Sequence, residues 1–331
     1  MRTMRVLIGE VCVACLLLTS SALAFDLIGH RGARGLAPEN TLPSFARALS
    51  LGVTTLELDT AITITKDGVI VISHDPALNP NITRDKNGKW LENIGPVIYS
   101  LTFDELQQYD VGRLKPNTNY AKLFPEQRPV DGARIPRLVD LFSLVKKSHN
   151  EQIRFNIEMK VSPLKPNETL DPETYVKRVI ELVRKEGMGA RVSILSFDWR
   201  TLQVVQKIAP EIPTVYLSVQ RSFDNILASK PEGSPWTAGF QHKDHGSVPK
   251  MVKAAGGGTW APYFGDLTET TLKEGHDLGL KVAVWTVNDP AQIKRMLDLG
   301  VDGITSDRPD LVRQAMAERG MALPSATPVQ P

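Results

Sequence analysis

A parallel α/β barrel with an inserted cap region is the fold class predicted by this chain, and three observations carry that expectation. From Asp26 onward, short β-rich apolar runs alternate with amphipathic stretches, the pattern of a parallel sheet covered by helices. About eight strand runs can be counted, the number that closes a barrel. No G-x-G-x-x-G run follows the first of them, which argues against an open nucleotide-binding sheet.

Each element has its own signal. "FDLIG" reads as the first strand, and in "TLPSFARALSLG" Leu42, Phe45, Ala46 and Leu49 fall on one helical face, with Thr41 as N-cap and Gly52 as stop. "VTTLELDT" is the next strand. Too few residues separate Asp59 from Val69 for a crossover helix, so the chain is expected to run back extended at ~3.3 Å per residue. After a turn at Lys66-Asp67-Gly68, "VIVISH" then rises beside "TLELD" as a third strand.

Residues 76–136, rich in Pro, Asn and Gly, read as the inserted cap, and "RLVDLFSLVKK" after them as a helix. "IRFNIEMK", "VSILSFD", "IPTVYLS", "TWAPYF", "KVAVWTVN" and "DGITSD" supply the later strands. Helices over "ETYVKRVIELVRKEG", "WRTLQVVQKIA", "LTETTLKEGHDLG", "DPAQIKRMLDLG" and "PDLVRQAMAER" alternate with them. Residues 220–257, containing "KPEGSPW" and "HKDHG", read as a second excursion.

The ends differ in character from the middle. Residues 1–24 have a basic start (Arg2, Arg5), an apolar run from Val11 to Leu18 and small residues at Ala22 and Ala24, the pattern of a signal peptide cleaved after Ala24. That run is short against the ~20 residues of a membrane span, so export to the periplasm without stable membrane insertion is expected. One domain is expected over 25–318, and the proline-rich residues 319–331 read as a disordered tail.

Both cysteines, Cys12 and Cys15, fall in the leader, so the mature chain would have no disulfide and no thiolate metal site. The net charge is +2 with no basic tract, which excludes the footprint of a general nucleic-acid binder. No oligomeric state is predicted.

The chemistry-bearing residues collect at predicted strand ends, where a parallel barrel places its active site. His30 and Arg31 follow the first strand, and Glu57 and Asp59 share one face of the second. His74 ends the third, Glu158 and Lys160 the fourth, and Trp285 and Asn288 a late one. Three buried carboxylates repel one another unless a cation lies between them; without a thiol they favour magnesium or calcium. Two imidazoles suit proton transfer to and from a phosphodiester. Arg31 and Lys160 can neutralise charge on a phosphoryl group, or simply pair with the carboxylates. "PENT" reads mainly as a helix start, although Asn40 lies within reach of the same end. His149, His242, His245 and His276 fall on helices or loops away from it.

In order, "GHRG", "PENT", "ELD", "SHD", "NIEMK", "VWTVN" and "GVDGITSDRP" resemble the glycerophosphodiester phosphodiesterase family between about Leu27 and Pro309. The resemblance implies a distorted (β/α)8, or TIM, barrel with His30 and His74 as catalytic residues. It also implies Glu57, Asp59 and Glu158 as ligands of a divalent ion (Ca or Mg), with Arg31, Lys160 and Trp285 binding substrate and phosphate. The implied activity is hydrolysis of a small glycerophosphodiester to sn-glycerol 3-phosphate and an alcohol. The alternatives are a lysophospholipase D, its acyl channel built from the apolar part of the insertion, and a non-catalytic protein that captures phosphorylated solutes.

Overall fold

In the computed structural model, eight parallel strands close into a barrel in chain order: β1 (Asp26–Gly29), β2 (Thr55–Ala61), β3 (Arg154–Lys160), β4 (Val192–Ser196), β5 (Thr214–Ser218), β6 (Thr259–Pro262), β7 (Lys281–Val284) and β8 (Gly303–Ser306). The structure describes residues 25–331 except 62–63, 166–169, 222–223 and 228–232; the leader read over 1–24 lies outside them. Helices α1 (Leu42–Leu51), α4 (Leu138–Lys147), α5 (Pro172–Lys185), α6 (Trp199–Ile208), α8 (Val248–Ala254), α9 (Glu269–Asp277), α10 (Pro290–Leu299) and α11 (Pro309–Glu318) follow the strands. The short α2 (Phe103–Leu106), α3 (Asn119–Lys122) and α7 (His242–His245) lie in the long loops.

The main core fills the layer between strands and helices. Phe45 of α1, Phe142 of α4 and Phe155 of β3 are fully buried, and Phe142 meets Phe155 edge to face at 5.0 Å. Full burial of each such ring is worth about 1.5–3 kcal/mol. Thr41 caps α1 by accepting from Ser44 N, and Gly52 ends it in the left-handed region at φ 75°, both as the sequence pattern predicts.

The segment "VIVISH" departs from the expectation of a barrel strand. It makes only isolated bridges: Thr60 with Ser73 in parallel, and Ile64 with Ile70 and Val71 with Arg137 antiparallel. β3 pairs with the whole of β2, whereas β1 pairs with it only at Thr55 and Leu56. The edge of β2 above Leu56 is therefore open, and Ser73 N donates to Asp59 O there at 2.9 Å. His74 still arrives at the rim.

Residues 76–136 carry their own small core of Leu78, Ile98, Leu106, Val111 and Ile135 against Val71. Within 220–257, α8 is the barrel helix that packs on β6 and α9, so the long loop after β5 ends at Ser247. The last residues lie along the barrel: Thr327 N donates to Leu49 O at 2.9 Å, and Arg313 Nη1 to Pro324 O at 2.7 Å. Proline and small residues leave the tail read over 319–331 as disordered without regular structure beyond Gly320, yet its backbone finds partners on α1 and α11. Among the described residues no helix is long and apolar enough to cross a membrane.

Candidate active site

The turn after β1 is built by its glycines. A side chain at Gly29 would strike Gly32 O, and a Cβ on Gly32, at φ 85°, would sit 2.6 Å from Ser44 Oγ. Between them Arg31 itself takes a positive φ of 49°. Ser44 of α1 latches the turn, donating to Arg31 O at 2.9 Å and accepting from Ala33 N at 2.8 Å. The loop thus presents His30 and Arg31 at the C-terminal end of the barrel.

β2 and β3 bring the carboxylates together. Asp59 is in register with Glu158, and Ala61 with Lys160. One oxygen each of Glu57, Asp59 and Glu158 lie within 4.8 Å of one another, all three residues being buried. Lys160 Nζ stands 2.6 Å from Glu158 Oε1 and 3.2 Å from Asp59 Oδ1, yet neither oxygen completes a well-angled hydrogen bond among the described residues. Arg31 pairs with Asp59 Oδ2 at 3.0 Å and with Glu39 Oε1 at 2.6 Å.

The environments push these groups apart. Burial raises Glu57 well above the usual carboxyl range, and Asp59 and Glu158 add to the effect. Asp59 is equally buried, but Lys160 and Arg31 outweigh burial and hold it well below that range. Glu158 is raised by burial and by Asp59 against the pull of Lys160. Three acids facing two bases leave a site short of one positive charge, and all the facing donors are oxygens. That composition fits a hard divalent ion.

The histidines are each held by an aspartate. His30 Nδ1 bonds Asp307 Oδ1 at 2.7 Å, and its Nε2 lies 3.8 Å from Glu57 Oε2. Burial lowers the His30 imidazole to about 4; Asp307 opposes this, whereas Arg34 and Arg31 reinforce it, so the ring is neutral at pH 7. His74 Nδ1 bonds Asp75 Oδ1 at 3.0 Å, and Asn79 bonds the same carboxylate.

Asp307 is the residue that sequence reasoning missed. It receives two further bonds from Arg34 (2.7 and 3.0 Å) and one from Asn288 Nδ2 at 2.7 Å. The signal was present in "TSDRP": β8 closes the barrel against β1 in register Gly29 to Ser306, which puts the next residues, His30 and Asp307, side by side. Asn40 does more than begin a helix. At φ 55° its amide donates to Asp59 Oδ2 at 3.0 Å while Thr41 beside it caps α1, so one motif does both.

These groups surround one cavity of about 260 Å³. His30, Arg31, Glu57, His74, Glu158 and Lys160 line one side, and Leu195, Phe197, Val215, Leu217, Ala261 and Trp285 the other. Trp285 spends its indole N–H on Ala261 O at 2.9 Å and packs edge-on to Phe197 at 5.3 Å. It is a wall of the cavity as well as part of an apolar cluster.

No residue of 76–136 lines that cavity among the described residues. The apolar Leu91, Ile98 and Leu101 of the insertion pack into its own core. The insertion instead braces the site from behind. Tyr120 donates to Glu39, the partner of Arg31, while Phe124 lies 4.6 Å under the Arg34 guanidinium and Gln127 donates to Arg34 O. His276 pairs with Asp302 on the opposite side of β7, and among the described residues only the Glu57, Asp59 and Glu158 cluster brings together three candidate metal ligands, so His242 and His245 form no such group.

Known proteins share the sequence pattern and the fold of this chain. The model of the Glycerophosphoryl diester phosphodiesterase family matches residues 30–311. A glycerophosphodiester phosphodiesterase of Bacillus altitudinis is 30% identical over 286 residues, covering 86% of this chain and 95% of its own. One from Caldanaerobacter subterraneus is 28% identical, covering 89% and 98%. A solved structure from Silicibacter pomeroyi, assigned as a glycerophosphoryl diester phosphodiesterase, superposes with a TM-score of 0.79 at 36% identity, covering 91% and 96%. At 21% identity, an Oleispira antarctica phosphodiesterase solved with sn-glycerol-3-phosphate shares the fold with a TM-score of 0.61, covering 88% and 96%. The barrel, the acid cluster at its rim and a family match over most of the chain lead to one conclusion: this protein belongs to the glycerophosphoryl diester phosphodiesterase family.

Proposed function

We propose that this chain hydrolyses glycerophosphodiesters to sn-glycerol 3-phosphate and a free alcohol, using a magnesium or calcium ion held by Glu57, Asp59 and Glu158. The observation that carries the reading is the convergence of Glu57, Glu158, two imidazoles and two cationic side chains on one cavity, with Asp59 completing the buried acid cluster beside it, in a barrel of this family. Bound there, the ion would polarise a phosphoryl oxygen. Arg31 offers a guanidinium and Lys160 an ammonium to the other oxygens as charge builds.

His30 is the base. Its Nδ1–H points to Asp307, which leaves the lone pair of Nε2 to take a proton from the attacking oxygen, and its neutrality at pH 7 suits that role. His74, about a third exposed in the lining of the same cavity, returns a proton to the departing alkoxide. A capture protein would gain nothing from imidazoles so placed. Against the lysophospholipid reading, Leu91, Ile98 and Leu101 of the insertion pack into its own core, and the exposed Ile94, Tyr99 and Leu123 line no part of the cavity.

The direct experiment is phosphorus NMR of glycerophosphocholine incubated with the protein. Growth of the sn-glycerol 3-phosphate resonance supports the reading; phosphocholine, or no change, overturns it. Asp307→Asn supplies a second check. An amide can bond either tautomer of His30, so kcat should fall by about 100-fold or more while KM, which reflects contacts Asp307 does not make, holds. A wild-type kcat would remove Asp307 from the account.

Tyr120→Phe tests the brace. Losing a hydrogen bond to a buried carboxylate costs about 1.5–3 kcal/mol and loosens the seat of Arg31, so KM should rise several-fold with a lower Tm. An unaltered KM would show that the insertion does not act on the site. We also propose export, on the pattern of residues 1–24, to the periplasm. N-terminal sequencing of the periplasmic protein should begin at Phe25.

A further inference from the structure

The floor of the cavity is chemically uneven. Below the rim, the inward residues Ile28, Val215 and Ala283 are apolar, but Asn156 on β3 and Thr305 on β8 are not. Both are 8% exposed, both line the cavity, and neither side chain makes a hydrogen bond among the described residues. The contrast with their neighbours is sharp. Thr55, Thr60, Ser196, Thr214, Tyr216, Ser218 and Ser306, the other buried hydroxyls of the eight strands, all have hydrogen-bond partners.

Neither Asn156 nor Thr305 counts among the fully buried polar groups that lack a partner, so the amide and the hydroxyl open onto the cavity, at a depth where branched apolar residues ordinarily fill a barrel. Here they mark a place where a ligand supplies the missing partner. On the reading of this protein as a glycerophosphodiester hydrolase, we infer that Asn156 and Thr305 form the subsite for the terminal hydroxyl of the glycerol moiety.

The chemistry and the depth both fit. Neither side chain carries charge, each both donates and accepts, and an alcohol does the same. Asn156 lies two residues below Glu158 on the same strand, a step of roughly 7 Å at ~3.3 Å per residue. A three-carbon chain whose phosphate sits at the rim reaches that depth. Leu195, Val215, Leu217 and Ala261 then face its methylene side. The glycerol end enters first, and the leaving alcohol points to the open mouth.

The test compares two choline diesters, glycerophosphocholine and its 2-hydroxypropyl analogue, which lacks only the terminal hydroxyl. Wild-type protein should prefer the former by about 100-fold or more in kcat/KM, because a site built for a hydroxyl is left unpaired by its absence. In Asn156→Leu and Thr305→Val, kcat/KM for glycerophosphocholine should fall about tenfold or more and that for the analogue much less, so the preference collapses. The Tm of both variants should hold, since neither side chain bonds another group of the protein among the described residues; a purely structural role would lower it. Equal losses on both substrates, or an intact preference, would overturn the subsite while leaving the phosphodiesterase reading in place. Failure of the wild type on both diesters would overturn that reading and the subsite with it.

Discussion

Glu57→Gln should abolish tight binding of a divalent ion and with it nearly all turnover, while making the metal-free protein no less stable. The two halves of this expectation have one cause. Glu57 is raised well above the usual carboxyl range by burial and by its two acidic neighbours, so without an ion its charge is a burden on the fold. Gln keeps the oxygen that accepts from Arg31 N at 2.9 Å and removes the charge. Groups that merely support metal ligands are worth 10–100-fold in affinity or activity, so loss of a ligand should cost at least about 100-fold. Calorimetry would read the affinity, and thermal melts would read the loss of ion-dependent stabilisation.

Asp59→Asn should behave differently. Asp59 is held below the usual range by Lys160 and Arg31, so its removal leaves two buried cations short of a partner, at about 3–5 kcal/mol. That variant should melt lower with or without an ion. Unchanged magnesium and calcium affinity in both variants would place the ion elsewhere.

The second large effect concerns the imidazoles. His30→Ala and His74→Ala are each expected to lose about 10²–10⁴ in rate with ion affinity near normal, the usual contribution of a general acid or base. Leaving-group chemistry separates them. A nitrophenyl ester departs without protonation, so it should restore His74→Ala and leave His30→Ala impaired. The reverse pattern would exchange the two roles. Near-normal turnover of an unactivated diester by both variants would mean that neither moves a proton.

Much of this site was legible in the chain because a parallel barrel turns strand ends into spatial neighbours. Glu57 and Asp59 share a face by strand parity alone, and Glu158 meets them because β3 pairs along all of β2. Three things lay beyond that logic. "VIVISH" has a strand's pattern, but the edge it takes was set by how briefly β1 pairs with β2, which no local residue encodes. Asp307 touches His30 across 277 positions, through the closure of the barrel itself. The insertion's polar, loop-rich composition suggested a cap over the substrate, but several of its apolar residues build a separate core and its Tyr120 donates to Glu39, the partner of Arg31. Composition reports that such a segment is irregular; only its contacts report what it braces.

The central claim is that hydrolysis depends on an ion held by the three carboxylates. Its most direct measurement is glycerophosphocholine turnover by protein stripped with a chelator and then titrated with magnesium or calcium. The account predicts that turnover disappears on stripping and returns as one ion per chain is restored, in the wild type but not in Glu57→Gln. A stripped protein that hydrolyses the diester at the original rate would contradict it.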